Sequence, residues 1–350
     1  MNPMVTGFAL LLLGAVCGGS FGLPSKYAPK EAPWEALWGP FFAFVTILLP
    51  VALGPVLVKD FYSIFSTAHA DNARAIIMPL VFGFLWGLGS MALGLSFSFL
   101  GLSLAYALNY GAQIVFGALA PMAIHTPEKF GTKQGLVTLG GVAVCVLGVI
   151  VAGRAGILKE QSMKKDQSAA DAASGKPNMM VGLIIGIASG VLCACYGVAA
   201  SFAGDIYKTA QTPFGNAPWS AAVAQAALIL WGGSVSSCLY CVYKLTKNKT
   251  WGYFGKPGLG LLLLLALVMA FLHNGAIVFF GLGYNNLDPK IGVSIGYAAF
   301  MSFAIIVGNI HGFRAGEWKG ASRQSVSLII TGIIILVVGV CILGYGNTLG

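Results

Sequence analysis

Ten stretches of about 20 or more residues, each nearly free of charge, follow one another along the chain, at about 4 to 24, 35 to 58, 76 to 98, 101 to 124, 134 to 153, 179 to 203, 218 to 243, 258 to 283, 289 to 311 and 324 to 346. Short polar segments separate them. About 20 residues at a rise of 1.5 Å cross a hydrocarbon core of roughly 30 Å, so each stretch predicts a membrane-spanning helix. Backbone groups in lipid must be paired within their own segment, and the continuous apolar blocks do not match the alternating ten-residue strands of a barrel. The first stretch lacks a basic lead and runs too long for a removable signal peptide.

Composition agrees with a lipid environment, since 57% of the residues are hydrophobic and only 9% are charged, against about 25% charged in soluble domains. The distribution of the basic residues sets an orientation. Loops after odd-numbered stretches hold fourteen of the twenty Lys and Arg: Lys26, Lys30, Arg154, Lys159, Lys164, Lys165, Lys176, Lys244, Lys247, Lys249, Lys256, Arg314, Lys319 and Arg323. By the positive-inside rule these loops are cytoplasmic, and both termini are extracytoplasmic, in a multi-pass protein of a bacterial inner membrane. The net charge of +9 is therefore a topology signal, with no basic stripe interleaved with aromatics to suggest nucleic acid.

The chain also reads as two halves. Ala32, Pro33 and Trp34 recur as Ala217, Pro218 and Trp219. Gly101, Ser103, Tyr106, Ala107 and Gly117 recur at one constant offset as Gly292, Ser294, Tyr297, Ala298 and Gly308, and that offset also sets Gly141 and Gly148 on Gly332 and Gly339. Phe84, Leu85 and Gly94 match Phe271, Leu272 and Gly281. Five crossings per half make the second half enter the membrane from the opposite side. The expected fold is all-α, two inverted five-helix repeats at 1–153 and 179–350 joined by a cytoplasmic linker at 154–178, an arrangement found in many secondary transporters.

Polar side chains inside a span normally face a bundle interior or a wet cavity. On the fourth stretch Ser103, Tyr106, Tyr110, Gln113 and Gly117 recur at steps of three or four, with Asn109 at the edge of the stripe. Amides and hydroxyls replace water around a sugar's hydroxyls, and aromatic rings cover its C–H faces. The same stripe also suits helix-to-helix hydrogen bonding and close packing. Trp86 and Ser90 share a face of the third stretch, and Ser294, Tyr297, Ala298 and Met301 share one of the ninth. Trp34, Trp38 and Trp219 sit at span ends, where an interfacial belt is the default. His273, next to Asn274, is the titratable residue nearest mid-membrane, which makes it a functional candidate; a neutral imidazole bonded to a neighbour is the alternative.

Other chemistry finds little support. The seven cysteines fall within the spans, and Cys238 and Cys241, despite their spacing, sit at a helix end in lipid as small packing residues. No metal or cofactor is expected. Asn248-Lys-Thr250 fits a glycosylation sequon but lies on the cytoplasmic side. No HExxH, Gly-x-Ser-x-Gly or Walker sequence is present, which argues against a membrane enzyme and against ATP-driven transport within this chain.

Several segments resemble the L-rhamnose/proton symporter family: FGFLWGLG at 82–89, GLSFSFLGLS at 94–103, GRAGILKE at 153–160, Trp34-Glu35, LWGG at 230–233, NKTWGYF at 248–254 and GEWKG at 316–320. The resemblance implies a fold like that of the drug/metabolite transporter superfamily and proton-coupled sugar uptake, with a metabolite or drug exporter of the same fold as the alternative. The chain departs from the family pattern at Ser98, where a basic residue is usual. It departs again in Phe271-Leu-His273-Asn274-Gly275, where Trp and Gln are usual, and on the ninth stretch, which lacks a His after its Ser. The expected partners are a sugar, a proton and the bilayer. The expected sugar contacts are Trp86, Ser90, Tyr106, Asn109, Tyr110, Gln113, Asn274, Ser294 and Tyr297, with His273 in proton coupling.

Overall fold

A computed structural model describes residues 3–165, 178–287 and 296–349, and among them the ordered elements are all helical. In chain order these are α1 (Pro3–Ser20), α2 (Trp34–Leu57), α3 (Phe61–Asp71), α4 (74–100), α5 (102–125), α6 (Lys133–Lys165), α7 (Met179–Phe202), α8 (Gly204–Gln211), α9 (Pro218–Lys247), α10 (Leu259–Asn286), α11 (Tyr297–Arg314) and α12 (Arg323–Asn347). Short 3-10 turns at Leu23–Tyr27, Pro127–Gly131 and Trp251–Gly255 fill loops between them. Among the described residues, eight segments, counting Arg74–Ile124 as one, are long and apolar enough to cross a membrane.

Local chemistry accounts for the ends and bends. Pro218 opens α9, where its missing N–H is not needed, and Lys244 and Lys247 lie in the last turn, opposite the negative end of the helix dipole. In α2 the α-helix widens to a π turn over Phe44–Leu48, just ahead of Pro50, which cannot donate to the ladder. α7 is interrupted at Ala194. Helices α4 and α5 follow one another without a loop and are parted by a kink at Gly101, whose φ of 77° and ψ of 175° lie where only glycine is at ease.

Three features differ from expectation. α6 continues to Lys165, well past the expected boundary at 153, so the linker predicted from 154 begins as helix, and residues 166–177 lie outside the described residues. Short helices α3 and α8 occupy segments expected as loops. They form because their apolar faces cover one another, with Phe61, Ile64 and Ala68 against Ile206 and Ala210 over the start of α9. The Asn216 side chain holds the chain ahead of α3 by accepting from the Lys59 N–H at 2.8 Å and donating to its carbonyl at 3.0 Å. Asn72 donates to Asp205 at 2.8 Å.

The chain divides into two compact units, Met1–Met91 with Leu192–Asp288, and Ala92–Val191 with Pro289–Gly350. Each draws on both sequence halves, and the divisions fall inside α4 and α7. In the first unit α1 packs along α10. On its basic-loop side the buried Glu35 carboxylate accepts from Asn248 Nδ2 at 2.9 Å and Thr250 Oγ1 at 2.8 Å, with Lys249 between them at φ 56°. In the second unit α6 packs along α12 at very short range. A Cβ at Gly339 would lie 3.1 Å from the Gly141 carbonyl oxygen, and one at Gly332 3.1 Å from that of Gly148. Small residues at such crossings let backbones meet and gain dispersion contacts, the main attraction available between helices in lipid.

Candidate functional site

The polar groups expected to act inside the membrane fall into two sets, one in each unit. In the first unit α10 carries His273, and three aromatic rings surround its imidazole. Phe21 lies edge-on at 5.3 Å, Phe41 edge-on at 6.0 Å, and Trp86 of α4 tilted at 5.8 Å. Phe21 and Phe41 also stack at 6.0 Å, and Tyr196 of α7 meets Trp86 edge-on at 5.8 Å. Separations of 4.5–7 Å in edge-on or offset geometry are those that aromatic quadrupoles favour. A single imidazole is thus walled by rings that present C–H and π surface.

Asn274 supplies the neighbouring polar group. Its Oδ1 lies 3.4 Å from His273 Nδ1, and its Nδ2 donates to the Val45 carbonyl at 3.2 Å. That carbonyl belongs to the π turn of α2, where the widened ladder turns backbone oxygen toward a side-chain donor. Ser90, one helical turn beyond Trp86, is buried. Asn274 also forms the single polar edge of an open crevice between α2, α9 and α10, whose other lining residues include Leu53, Leu57, Leu230 and Ile277. Aliphatic walls of that kind offer a sugar nothing to replace its water.

In the second unit the stripe on α5 divides by depth. Ser103 Oγ donates to Asn309 Oδ1 of α11 at 2.5 Å, and Asn309 Nδ2 donates to the Ile305 carbonyl at 2.8 Å. Tyr106 is fully buried with its ring against Gly308, tilted on Phe97 at 5.1 Å and stacked on Tyr110 at 5.5 Å. Asn109, also fully buried, donates to Ser189 Oγ of α7 at 2.8 Å. Tyr110 and Gln113 are half-buried. The part of the stripe that keeps accessible surface is therefore its later end.

The structure sets Trp86 and Asn274 each against His273, and it strings Tyr106, Asn109, Tyr110 and Gln113 along one face of α5. Ser294 lies outside the described residues. Tyr297 is the first residue of α11, and its side chain is likewise outside them. Phe21, Phe41, Tyr196, Ser189 and Asn309 belong to these clusters and were not singled out from sequence. Asn309 was within reach of the pattern, since it continues the four-residue steps of Met301 and Ile305 on α11. Among the described residues no group of three or more His, Cys, Asp or Glu side chains is placed to hold a metal ion.

Comparison with known proteins covers the chain end to end. The family model described as L-rhamnose-proton symport protein matches residues 1–349. Curated relatives named L-rhamnose-proton symporter include those of Citrobacter koseri, 26% identical over 99% of this chain and 98% of the relative, and Cronobacter sakazakii, 28% identical over 99% and 98%. The one from Klebsiella pneumoniae is 27% identical over 99% of both chains.

Proposed function

The chain belongs to the L-rhamnose-proton symport family, and we propose that it imports a monosaccharide, L-rhamnose or a related deoxysugar, together with protons across a bacterial inner membrane. The observation that carries the reading is the His273 cluster, a titratable ring inside an apolar span with an amide and an indole against it. Such a residue is retained in a membrane segment at a cost, and proton relays are among its uses. Trp86 and Asn274 give one sugar-sized pairing of ring and amide, with Ser90 a turn away; Tyr110 and Gln113 give the other, with Tyr106 and Asn109 behind them. Ser294 and Tyr297 complete the proposed set of contacts.

The architecture proposed is ten crossings in two inverted repeats, 1–153 and 179–350, with 154–178 between them on the cytoplasmic side and both termini outside. Packing of α6 on α12 supports it. Gly141 corresponds to Gly332 in the repeat and Gly148 to Gly339, yet the close pairs are Gly141 with Gly339 and Gly148 with Gly332. Exchanged pairing of this kind is what a two-fold axis between matching elements produces.

The test is uptake of labelled L-rhamnose by proteoliposomes under an imposed inward proton gradient. Accumulation that collapses when the gradient is dissipated is expected. Gradient-independent equilibration, or extrusion of substrate against the sugar gradient, would favour the exporter alternative.

A further inference from the structure

Outside both clusters, one carboxylate is engaged in a way that the sequence pattern did not anticipate. The break at Gly101 leaves the first N–H groups of α5 without partners in their own helix. Glu317, in the loop between α11 and α12, takes two of them: Oε1 accepts from the Leu102 N–H at 2.7 Å and Oε2 from the Ser103 N–H at 3.0 Å. A carboxylate at this end of a helix meets both the free donors and the positive end of the dipole.

The loop is built to hold that side chain there. The Glu317 N–H donates to the Gly312 carbonyl at 3.1 Å. Trp318 stacks on Phe313 at 5.7 Å, with the Lys159 ammonium 4.7 Å above its ring. Ser322 N–H donates to Ser162 Oγ at 3.2 Å, so the extended end of α6 braces the loop from a second side. Space is tight on the other flank: a Cβ at Gly101 would lie 2.6 Å from the carboxyl carbon, and one at Gly312 2.6 Å from Oε2. The next turns of α5 are then pinned to α11 by Ser103 on Asn309 and by Tyr106 on Gly308.

We propose that Glu317 is a positioning residue for substrate: by capping α5 it sets the rotation and register of that helix, and so the placement of Tyr110 and Gln113. Tyr110 receives this placement directly, through its stack on Tyr106. The inference rests on the sugar reading of Tyr110 and Gln113. Glutamine at 317 keeps one acceptor and turns an NH₂ toward a donor, while aspartate, one methylene shorter, reaches at most one of the two N–H groups.

The experiment compares the full-length protein with Glu317→Gln and Glu317→Asp in proteoliposomes, measuring L-rhamnose counterflow, the thermal midpoint without sugar, and amide exchange at Leu102 and Ser103. Glu317→Gln is expected to raise KM about three- to tenfold, within the range of off-contact coupling, at a nearly unchanged maximal rate and thermal midpoint, with Glu317→Asp between it and the parent. In the parent, both amides exchange slowly and gain protection with L-rhamnose. A parental KM in Glu317→Gln, or a lowered midpoint with KM unchanged, overturns the proposal. If Glu317→Gln does not fold, exchange at Leu102 and Ser103 that ignores L-rhamnose in the parent overturns it instead. A parent that shows no L-rhamnose transport removes the sugar reading and this inference with it, whereas parental transport with an indifferent variant removes this inference alone.

Discussion

Trp86 and His273 meet ring to ring with centroids 5.8 Å apart, and the offset that sets Phe84 on Phe271 and Leu85 on Leu272 also sets Trp86 on His273. Contact between matching positions of two repeats is expected where their symmetry axis passes. On the proposed two-repeat architecture the indole and the imidazole fill one structural position differently, and His273 is the member of the pair proposed for proton coupling. Repeat-based transporters keep substrate and coupling-ion sites at such interfaces.

Replacing His273 by Gln keeps a polar side chain and removes the proton-accepting ring. His273→Gln is expected to retain L-rhamnose exchange at equal concentrations on both sides and to lose accumulation under a proton gradient. Each positive charge moved inward contributes about 2.3 kcal/mol per 100 mV of membrane potential, so the loss is readable as a collapse of the accumulation ratio. Gradient-driven accumulation at the parental level would assign the ring to packing.

Gln113 keeps accessible surface on α5, beyond the buried turns that hold the helix. Gln113→Leu preserves volume and removes the amide, so sugar affinity should fall by about two- to twelvefold, the equivalent of a net hydrogen bond of roughly 0.5–1.5 kcal/mol. Insertion and monodispersity in detergent are expected to be unchanged. Asn109→Leu should act differently, because it removes the bond to Ser189 between buried helices and so lowers the thermal midpoint. The pair of measurements separates contact from scaffold along one stripe.

Gly148 faces the Gly332 carbonyl and the side chain and N–H of Leu336 on α12, with no room for a larger side chain. Gly148→Leu should separate α6 from α12 and cost about 1–3 kcal/mol, the usual range for overpacking, seen as a lower thermal midpoint without any change in the L-rhamnose KM of the protein that remains folded. A midpoint within error of the parent would mean that the helices part more easily than the distances indicate.

That the chain is built of apolar helices long enough for a bilayer was legible because lipid imposes a length and a composition that no other environment does, and the stripe on α5 was legible because helical periodicity gathers residues locally. What escaped depends on distance along the chain. Glu317 caps a helix that begins 215 residues earlier, and no local signal connects a glutamate in a GEWKG loop to a break at Gly101, one glycine among 48. Phe21 and Phe41 read as ordinary apolar span residues until folding sets their edges against an imidazole. The short helices α3 and α8 escaped for another reason: each has only two or three buried apolar positions, and these become informative only when paired.

The last prediction concerns orientation, and helix-end contacts sharpen it. Glu35 at the start of α2 is bonded to Asn248 and Thr250 after α9, so the loop before α2 and the loop after α9 share one face of the bilayer. In the second unit, Glu317 ties the loop after α11 to the break before α5, and Ser322 with Ser162 adds the end of α6. These are the segments that hold fourteen of the twenty Lys and Arg. On the opposite ends of the first unit, Lys59 is joined to Asn216, and Asn72 to Asp205. Within each unit, then, the contacts group loops as alternate crossings require, and the positive-inside rule assigns the basic group to the cytoplasm. A periplasm-active reporter fused after Gly350 is expected to be active. In a background with the native cysteines replaced, a single cysteine in place of Asn216 should react with an impermeant thiol reagent in intact cells, while one in place of Lys249 should react only after permeabilisation. A cytoplasm-only reporter signal at Gly350 together with the reverse labelling pattern would invert the whole assignment, and with it the face from which the Glu317 loop is reached.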